Sequence, residues 1–506
     1  MDIFHNLAFG FGVAFTPENF VYCLLGAVLG TLVGVLPGLN PLIAITMLLP
    51  ITFKLPATAA LIMLSGIYYG AHHSGSTTAI MLNMPGEPSS LVICLDGHPM
   101  ARQGRAGAAL CIAALASFFA GSVCIFFISL FSPPLAKLAL SFQAPEYTST
   151  VVLALVGISL LSSNSLLTTF GMAVLGILIG TIGIDINSGV MRFTFGESRL
   201  ADGIDFVPVA IGLFAFSEIA IRLGAPEKPR VFDTKIRNLI PTRADLAASW
   251  KPAVRGTILG GLFGVLPGTG PLISSFASYA MEKKLSREPQ RFGNGAIEGI
   301  AGPEAANNAA AFTHFIPMLT LGIPAGATMA LMLGALMIQG IPPGPQVMTE
   351  HPDLFWGLVA SMWIGNFMLL ILNLPLVGIW IRLLTIPYRL LYPMILVFCC
   401  IGAYSIHNSA FDVGLAAFVG VGGYVLRQLG GAPAPLILGL ILGPVLEENL
   451  RRSLLISRGD PSIFITRPIS LGLLLLAAGL FVAFTLPSIR GRRSIVRPVS
   501  KPVGGV

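Results

Sequence analysis

The sequence predicts an all-α polytopic membrane protein of about 10–12 transmembrane helices, built from two inverted repeats that contain broken or re-entrant helices. Three observations carry this expectation. The chain of 506 residues is 54% hydrophobic and only 10% charged, more apolar surface than a soluble core of that size buries. Its apolar runs approach the roughly 20 residues that a spanning helix needs. The stretch Gly34-Val-Leu-Pro-Gly38 also returns 230 positions later as Gly264-Val-Leu-Pro-Gly268.

Taken in order, the longer apolar runs lie near 19–36, 57–82, 107–131, 147–162, 164–183, 205–223, 353–378, 389–408, 410–427, 432–446 and 466–486. Shorter or broken ones lie near 41–53, 254–268, 271–282, 296–320 and 325–341. Glycine (57) and proline (37) are abundant, which membrane helices tolerate where they break inside protein rather than against lipid. The segment Met1 to Phe20 has no Lys or Arg and so lacks the basic start of a cleavable signal peptide. Asp96-Gly-His-Pro99 with Arg102 and Arg105 reads as a boundary turn, and Phe195 to Asp205 as a polar connection. The six cysteines sit in apolar runs without metal-ligand spacing, as small buried thiols do.

The net charge of +7 is concentrated in two places. Lys228, Arg230, Lys235, Arg237, Arg243, Lys251 and Arg255 share one connection, and Arg490, Arg492, Arg493, Arg497 and Lys501 share the tail. Confinement of basic residues to loops is the positive-inside pattern, not a nucleic-acid surface. It divides the chain into a first membrane half (1–223), a cytoplasmic basic linker (224–255), a second membrane half (256–486) and a cytoplasmic tail (487–506). No phosphate-binding Gly-x-x-x-x-Gly-Lys-Ser/Thr loop occurs, so ATP hydrolysis is not expected on this chain.

The first copy of the repeat follows a segment with Asp2 and Glu18 and no basic residue, whereas the second follows the basic linker. The copies therefore enter from opposite sides, as in inverted-repeat transporters with a midplane site. Lys283, Lys284, Arg287 and Arg291 would end outside if the second copy crossed straight through; a re-entrant hairpin turning at Pro267-Gly268 returns them to the cytoplasm.

The candidate binding residues cluster at the breaks. Asn40 before Pro41, and Thr269 and Gly270 before Pro271, read as helix caps with proline at the first turn, which aim unpaired N–H groups at one point. A proline kink that only packs is the alternative. Asn83, Pro85 and Gly86, and Gly322 and Pro324, mark two further breaks where backbone can approach a ligand. Ser74, Ser76, Thr77 and Thr78 are costly against lipid and face a cavity or one another. These form the candidate substrate site, suited to a carboxylate.

Glu87, Glu304, Asn307, Asn308 and Thr320 are the candidate cation-coupling set, for sodium or a proton; capping of helix ends is the alternative for the two glutamates. His72, His73 and His314 either pack or touch substrate.

Several stretches together resemble one family: Tyr68 to Thr78, Asn83-Met-Pro-Gly-Glu87, Asp96-Gly-His-Pro-Met100, Arg192-Phe-Thr-Phe-Gly196, and Pro303-Glu-Ala-Ala-Asn-Asn-Ala309 with Leu321-Gly-Ile-Pro324. In order and over nearly the whole chain, the pattern is similar to the large membrane subunit of tripartite tricarboxylate transporters. The resemblance implies a permease of the bacterial inner membrane, coupled to an ion gradient, with a periplasmic solute-binding protein and a small membrane subunit as partners. The substrates it implies are carboxylates such as citrate, or dicarboxylic and aromatic acids. The chain departs from the family's pattern at His72-His73, Phe312-Thr313 and Ala325-Gly326. An organic anion channel or stand-alone carrier is the competing class; no His-Glu-x-x-His, Gly-x-Ser-x-Gly or aspartate pair favours an enzyme.

Overall fold

The computed structural model describes residues 3–36, 40–139, 141–161, 166–185, 188–223, 240–266, 270–383 and 388–491. The two repeated Pro-Gly pairs, within residues 37–39 and 267–269, and with them Thr269, lie outside the described residues, as do linker residues 224–239 and tail residues 492–506.

The first half opens with α1 (Ile3–Ala14), which precedes the first expected run and packs its Gly10 on the backbone of Trp356. Then come α2 (Pro17–Val35), α3 (Pro41–Thr52) and α4 (Ala57–Leu82). Gly26, Gly30 and Gly34 of α2 lie successively against Met63, Ile67 and Ala71 of α4. Both sets of numbers rise together, so α2 and α4 are parallel and α3 runs back between them. With 12 residues, α3 spans about 18 Å, little more than half the hydrocarbon core. The unit is thus a helical hairpin followed by a long helix parallel to its first arm. Lipid gives no hydrophobic drive for helix association, and glycines that let two backbones touch supply the packing instead.

A 3-10 turn (Pro88–Ile93) leads into α5 (Cys94–Met100) and α6 (Ala106–Ala139), then α7 (Ala144–Leu161) and α8 (Leu166–Gly180). The segment between α8 and the polar connection carries a two-residue antiparallel ribbon, β1 (Gly183–Ile184) with β2 (Met191–Arg192). The half closes with α9 (Phe206–Ala210) and α10 (Ser217–Leu223) around a π-type turn.

The second half repeats the opening unit. In α11 (Arg243–Val265), Gly256, Gly260 and Gly264 pack on Gly302, Ala306 and Ala310 of α13 (Glu298–Thr313), with α12 (Gly270–Leu285) as the returning arm. Next come α14 (Phe315–Leu321), α15 (Ala327–Ile338), α16 (Gln346–Glu350) and α17 (Pro352–Asn373). The remainder is α18 (Val377–Leu383), α19 (Tyr388–His407), α20 (Ala410–Gln428), α21 (Pro433–Ile456), α22 (Ile463–Thr466) and α23 (Pro468–Gly491).

Cross-contacts give the relative sense of the halves. Tyr68 and Tyr69 of α4 meet His314 and Phe312, while His72, one turn on, meets Asn307. Numbers rise along α4 as they fall along α13, so these helices are antiparallel. Since each is parallel to its own entering helix, the two units have inverted topology.

Five helical stretches are long and apolar enough to cross a bilayer among the described residues: Pro17–Val35, Pro88–Lys137, Pro352–Asn373, Ala410–Gln428 and Pro433–Ile456. α4 is longer than most of these, but its histidines, serines and threonines hold its mean hydropathy down; other runs expected to span are shorter or broken.

The segment expected to be a boundary turn does more than turn. Asp96, fully buried in α5, accepts backbone N–H bonds from Gly293, Gly295 and Ala296, each 2.8 Å, and a fourth bond from the Tyr279 hydroxyl at 2.9 Å. It fastens the first half to the loop between α12 and α13. At the periphery, Arg192 to Glu447 (2.7 Å) and Arg451 to Asp185 (3.1 Å) hold the ribbon on α21, and Arg467 reaches Glu146 (2.6 Å). All six cysteines are free thiols, five of them buried.

Candidate functional site

Five helix starts converge on one cavity of about 410 Å³. Asn40 caps α3 from an extended conformation, its carboxamide accepting the Ile43 N–H at 2.9 Å, and Pro41 takes the first helical position, where no N–H is needed. Gly270 opens α12 at φ +55°, a left-handed conformation that favours glycine. Gly326 caps α15 and Ala432 caps α21, the latter ahead of Pro433. The fifth start is the 3-10 turn capped by Glu87 in a reciprocal box with Ser90.

Unpaired N–H groups and the positive end of the helix dipole make each start attractive to an anion. At the turn after Glu87 the anion is built in. At the other four starts it would have to come from outside.

The rest of the wall comes from Tyr68 and His72, one turn apart on α4, and from His314 at the junction of α13 and α14. His72 Nδ1 lies 3.2 Å from Glu87 Oε2, and the same carboxylate bonds Ser89 and takes the Asn307 amide at 3.3 Å. Ser89 in turn lies 2.6 Å from Asn307 Oδ1. Asn307 thus stitches α13 to the first half's break.

A second cluster lies behind the wall and does not line the cavity. Glu304, with no exposed surface, accepts bonds from Ser117 of α6 (3.0 Å) and from Asn308 (3.2 Å), with Ser76 alongside. Glu304 Oε2 and Asn308 Oδ1 have no hydrogen-bond partner among the described residues. Buried oxygens left unpaired are costly, and a cation is one way to satisfy them.

Of the residues singled out from sequence, Asn40, Gly270, Glu87, His72 and His314 line the cavity. The structure places the others in its framework. Ser74 donates to Gly70 O and Thr31 O, and Thr78 to Val35 O, so these hydroxyls tie α4 to α2. Ser76 faces Glu304, and Thr77 is buried in α4 away from the cavity lining. Asn83 is an exposed left-handed cap ending α4, and Gly322 is its counterpart ending α14. Pro85 and Pro324 follow those caps, outside the lining set. Gly86 is buried, with its N–H on Gly75 O at 3.3 Å and no room for a side chain against Gly34 and Gly75. Thr320 bonds Ile316 O within its own helix at 2.7 Å.

Tyr68 and Ser89 are not in the candidate binding set, and for His72 and His314 the sequence leaves packing and substrate contact both open. The i, i+4 spacing of Tyr68 and His72 on one helix face was the available signal. The start of α21 was hidden because residues 410–446 read as two plain apolar runs.

A helical membrane protein whose inverted hairpins contribute helix starts to one cavity has the architecture of a transporter. Residues 20–438 match the family described as "Tripartite tricarboxylate transporter TctA family", and the chain belongs to it. It is similar to two proteins of Agrobacterium vitis. One, the "Uncharacterized 52.8 kDa protein in TAR-I ttuC' 3'region", is 53% identical over 98% of this chain and 99% of its own length. The other, the "Uncharacterized protein in TAR-II ttuC' 3'region", is 59% identical over 47% of this chain and 98% of its own length. Among solved structures, a manganese transporter of Eremococcus coleocola aligns with 92% of this chain and 95% of its own at 13% identity and a TM-score of 0.13, a likeness that carries no argument.

Proposed function

We propose that the chain is the permease subunit of a binding-protein-dependent tripartite importer, moving carboxylates by secondary active transport. The substrate class is a tricarboxylate such as citrate, or a related dicarboxylic or aromatic acid, and the driving force is a sodium or proton gradient. In this reading it sits in a bacterial inner membrane with linker 224–255 and tail 487–506 in the cytoplasm. It works with a small membrane subunit and takes substrate from a periplasmic solute-binding protein.

The observation that carries the reading is the convergence of four open helix starts on one cavity, at which each N-terminus favours a negative charge by about 0.3–1 kcal/mol or more where water is excluded. The unpaired oxygens of Glu304 and Asn308 support a cation beside it. Uptake of radiolabelled citrate, succinate and benzoate into vesicles bearing the two membrane subunits tests this. Uptake should require both the binding protein and an inward cation gradient. Saturable uptake by this chain alone, without either, would favour the stand-alone carrier or channel.

A further inference from the structure

His314 is 3% exposed, lines the cavity, and has no hydrogen-bond partner for Nε2. Its other ring nitrogen, Nδ1, lies 2.8 Å from the Tyr68 hydroxyl. We propose that His314 donates its Nε2–H to a carboxylate of the transported ligand and that Tyr68, as a positioning residue, fixes the tautomer that makes this possible. The proposal rests on the carboxylate reading above and adds a specific contact to it.

The tautomer follows from counting donors. Tyr68 O–H has no acceptor other than His314 Nδ1 among the described residues. If the phenol donates there, Nδ1 is bare and the ring proton is on Nε2. The reverse arrangement would leave the phenol hydrogen buried and unpaired, which is costly. A buried Nε2–H without an acceptor is costly in the same way, and the cavity side is where an acceptor can arrive.

Nε2 itself is buried, and the ring carbon beside it faces two of the helix starts that line the cavity. His314 Cε1, next to Nε2, is 3.9 Å from where a side chain on Gly270 would begin and 4.0 Å from the same point on Gly326. These residues open α12 and α15, so an anion bonded to Nε2 also meets two helix starts. Gly326 has φ −168°, an extended conformation open to any residue, so its backbone does not require glycine. A methyl added there would sit beside Cε1 and narrow the approach from the cavity to Nε2. His72 is set differently, because its Nδ1 already faces Glu87.

The test is thermal unfolding of the purified full-length chain in detergent, titrated with sodium citrate, succinate or benzoate at constant sodium and ionic strength. Wild type should show a saturable rise in Tm with at least one of them. His314→Ala should weaken that anion's apparent Kd about tenfold or more, the scale of a hydrogen bond to a charged group. His314→Gln, whose amide N–H replaces Nε2–H, should stay within about threefold of wild type. Gly326→Ala makes only an ordinary van der Waals contact with the ring and so should fold, yet it narrows the approach to Nε2 and should weaken binding severalfold. Tyr68→Phe should weaken binding in the wild-type background but have no effect on His314→Gln, whose amide needs no tautomer set. Equal affinity in wild type, His314→Ala and Gly326→Ala overturns the role of His314 and leaves the carboxylate site standing. A Tyr68→Phe loss that persists in His314→Gln overturns the positioning role. Absence of a saturable shift in wild type with all three anions overturns the carboxylate reading and this contact together.

Discussion

The two hairpin units share a backbone and differ in chemistry. Gly26, Gly30 and Gly34 recur as Gly256, Gly260 and Gly264, and their contacts Met63, Ile67 and Ala71 recur as Gly302, Ala306 and Ala310. Carrying that register forward aligns Asn83 with Gly322, both left-handed helix caps, and Pro85 with Pro324. On the inner face the register pairs unlike residues: Ser65 with Glu304, Tyr68 with Asn307, Gly75 with His314, and Glu87 with Gly326. What repeats is whatever lets helices touch and break. What diverges are these polar and titratable side chains, whereas Pro41-Leu42 and Pro271-Leu272 repeat at the cavity, so each half contributes different polar groups to one asymmetric site.

The largest expected effect tests the shared framework. Gly30→Leu and Gly260→Leu should each abolish a monodisperse detergent-solubilised peak, because each side chain would enter facing backbone, at Gly66 and Ile67 or at Ala306. Overpacking of this kind costs about 1–3 kcal/mol or more. A folded protein from one variant and not the other would show that the units are not mechanically equivalent. An intermediate effect tests the divergence. If Asn308 helps hold the coupling cation, Asn308→Ala should raise the sodium concentration for half-maximal uptake about tenfold, the scale of one lost ligand interaction. Asn83→Ala, at an exposed cap, should change it less than about twofold. Equal dependence in both variants would remove Asn308 from the coupling set. The smallest effect concerns a hydroxyl that belongs to the framework. Thr78→Ala should cost about 0.5–1.5 kcal/mol, read as a modest fall in Tm, and leave half-saturation for substrate unchanged. A raised half-saturation constant would return Thr78 to the binding surface.

Much of this is legible in the sequence. The membrane class followed from hydropathy, and the paired hairpins from the duplicated Gly-Val-Leu-Pro-Gly and the placement of Lys283, Lys284, Arg287 and Arg291. Helix starts at Asn40 and Gly270 were legible because proline at a first turn has a local cause. The roles of Ser74 and Thr78 were not, because a hydroxyl that bonds a neighbouring helix and one that faces a cavity look alike in sequence. His314 was obscured for a related reason: its worth depends on Tyr68, 246 positions away. The three glycines spaced four residues apart in each entering helix are a readable sign of close helix packing.

Asp96 has a consequence of a mechanical kind. One carboxylate there holds four donors, three of them backbone N–H groups of a single short loop, and all four sit on the opposite half of the chain. Such bonds do not yield one at a time, since withdrawing the side chain strands every donor together. The joint behaves as a rivet rather than a hinge. The end of α12, the start of α13 and the whole of α5 must then travel as one piece, and any rocking that exposes the cavity alternately has to pivot on contacts other than these.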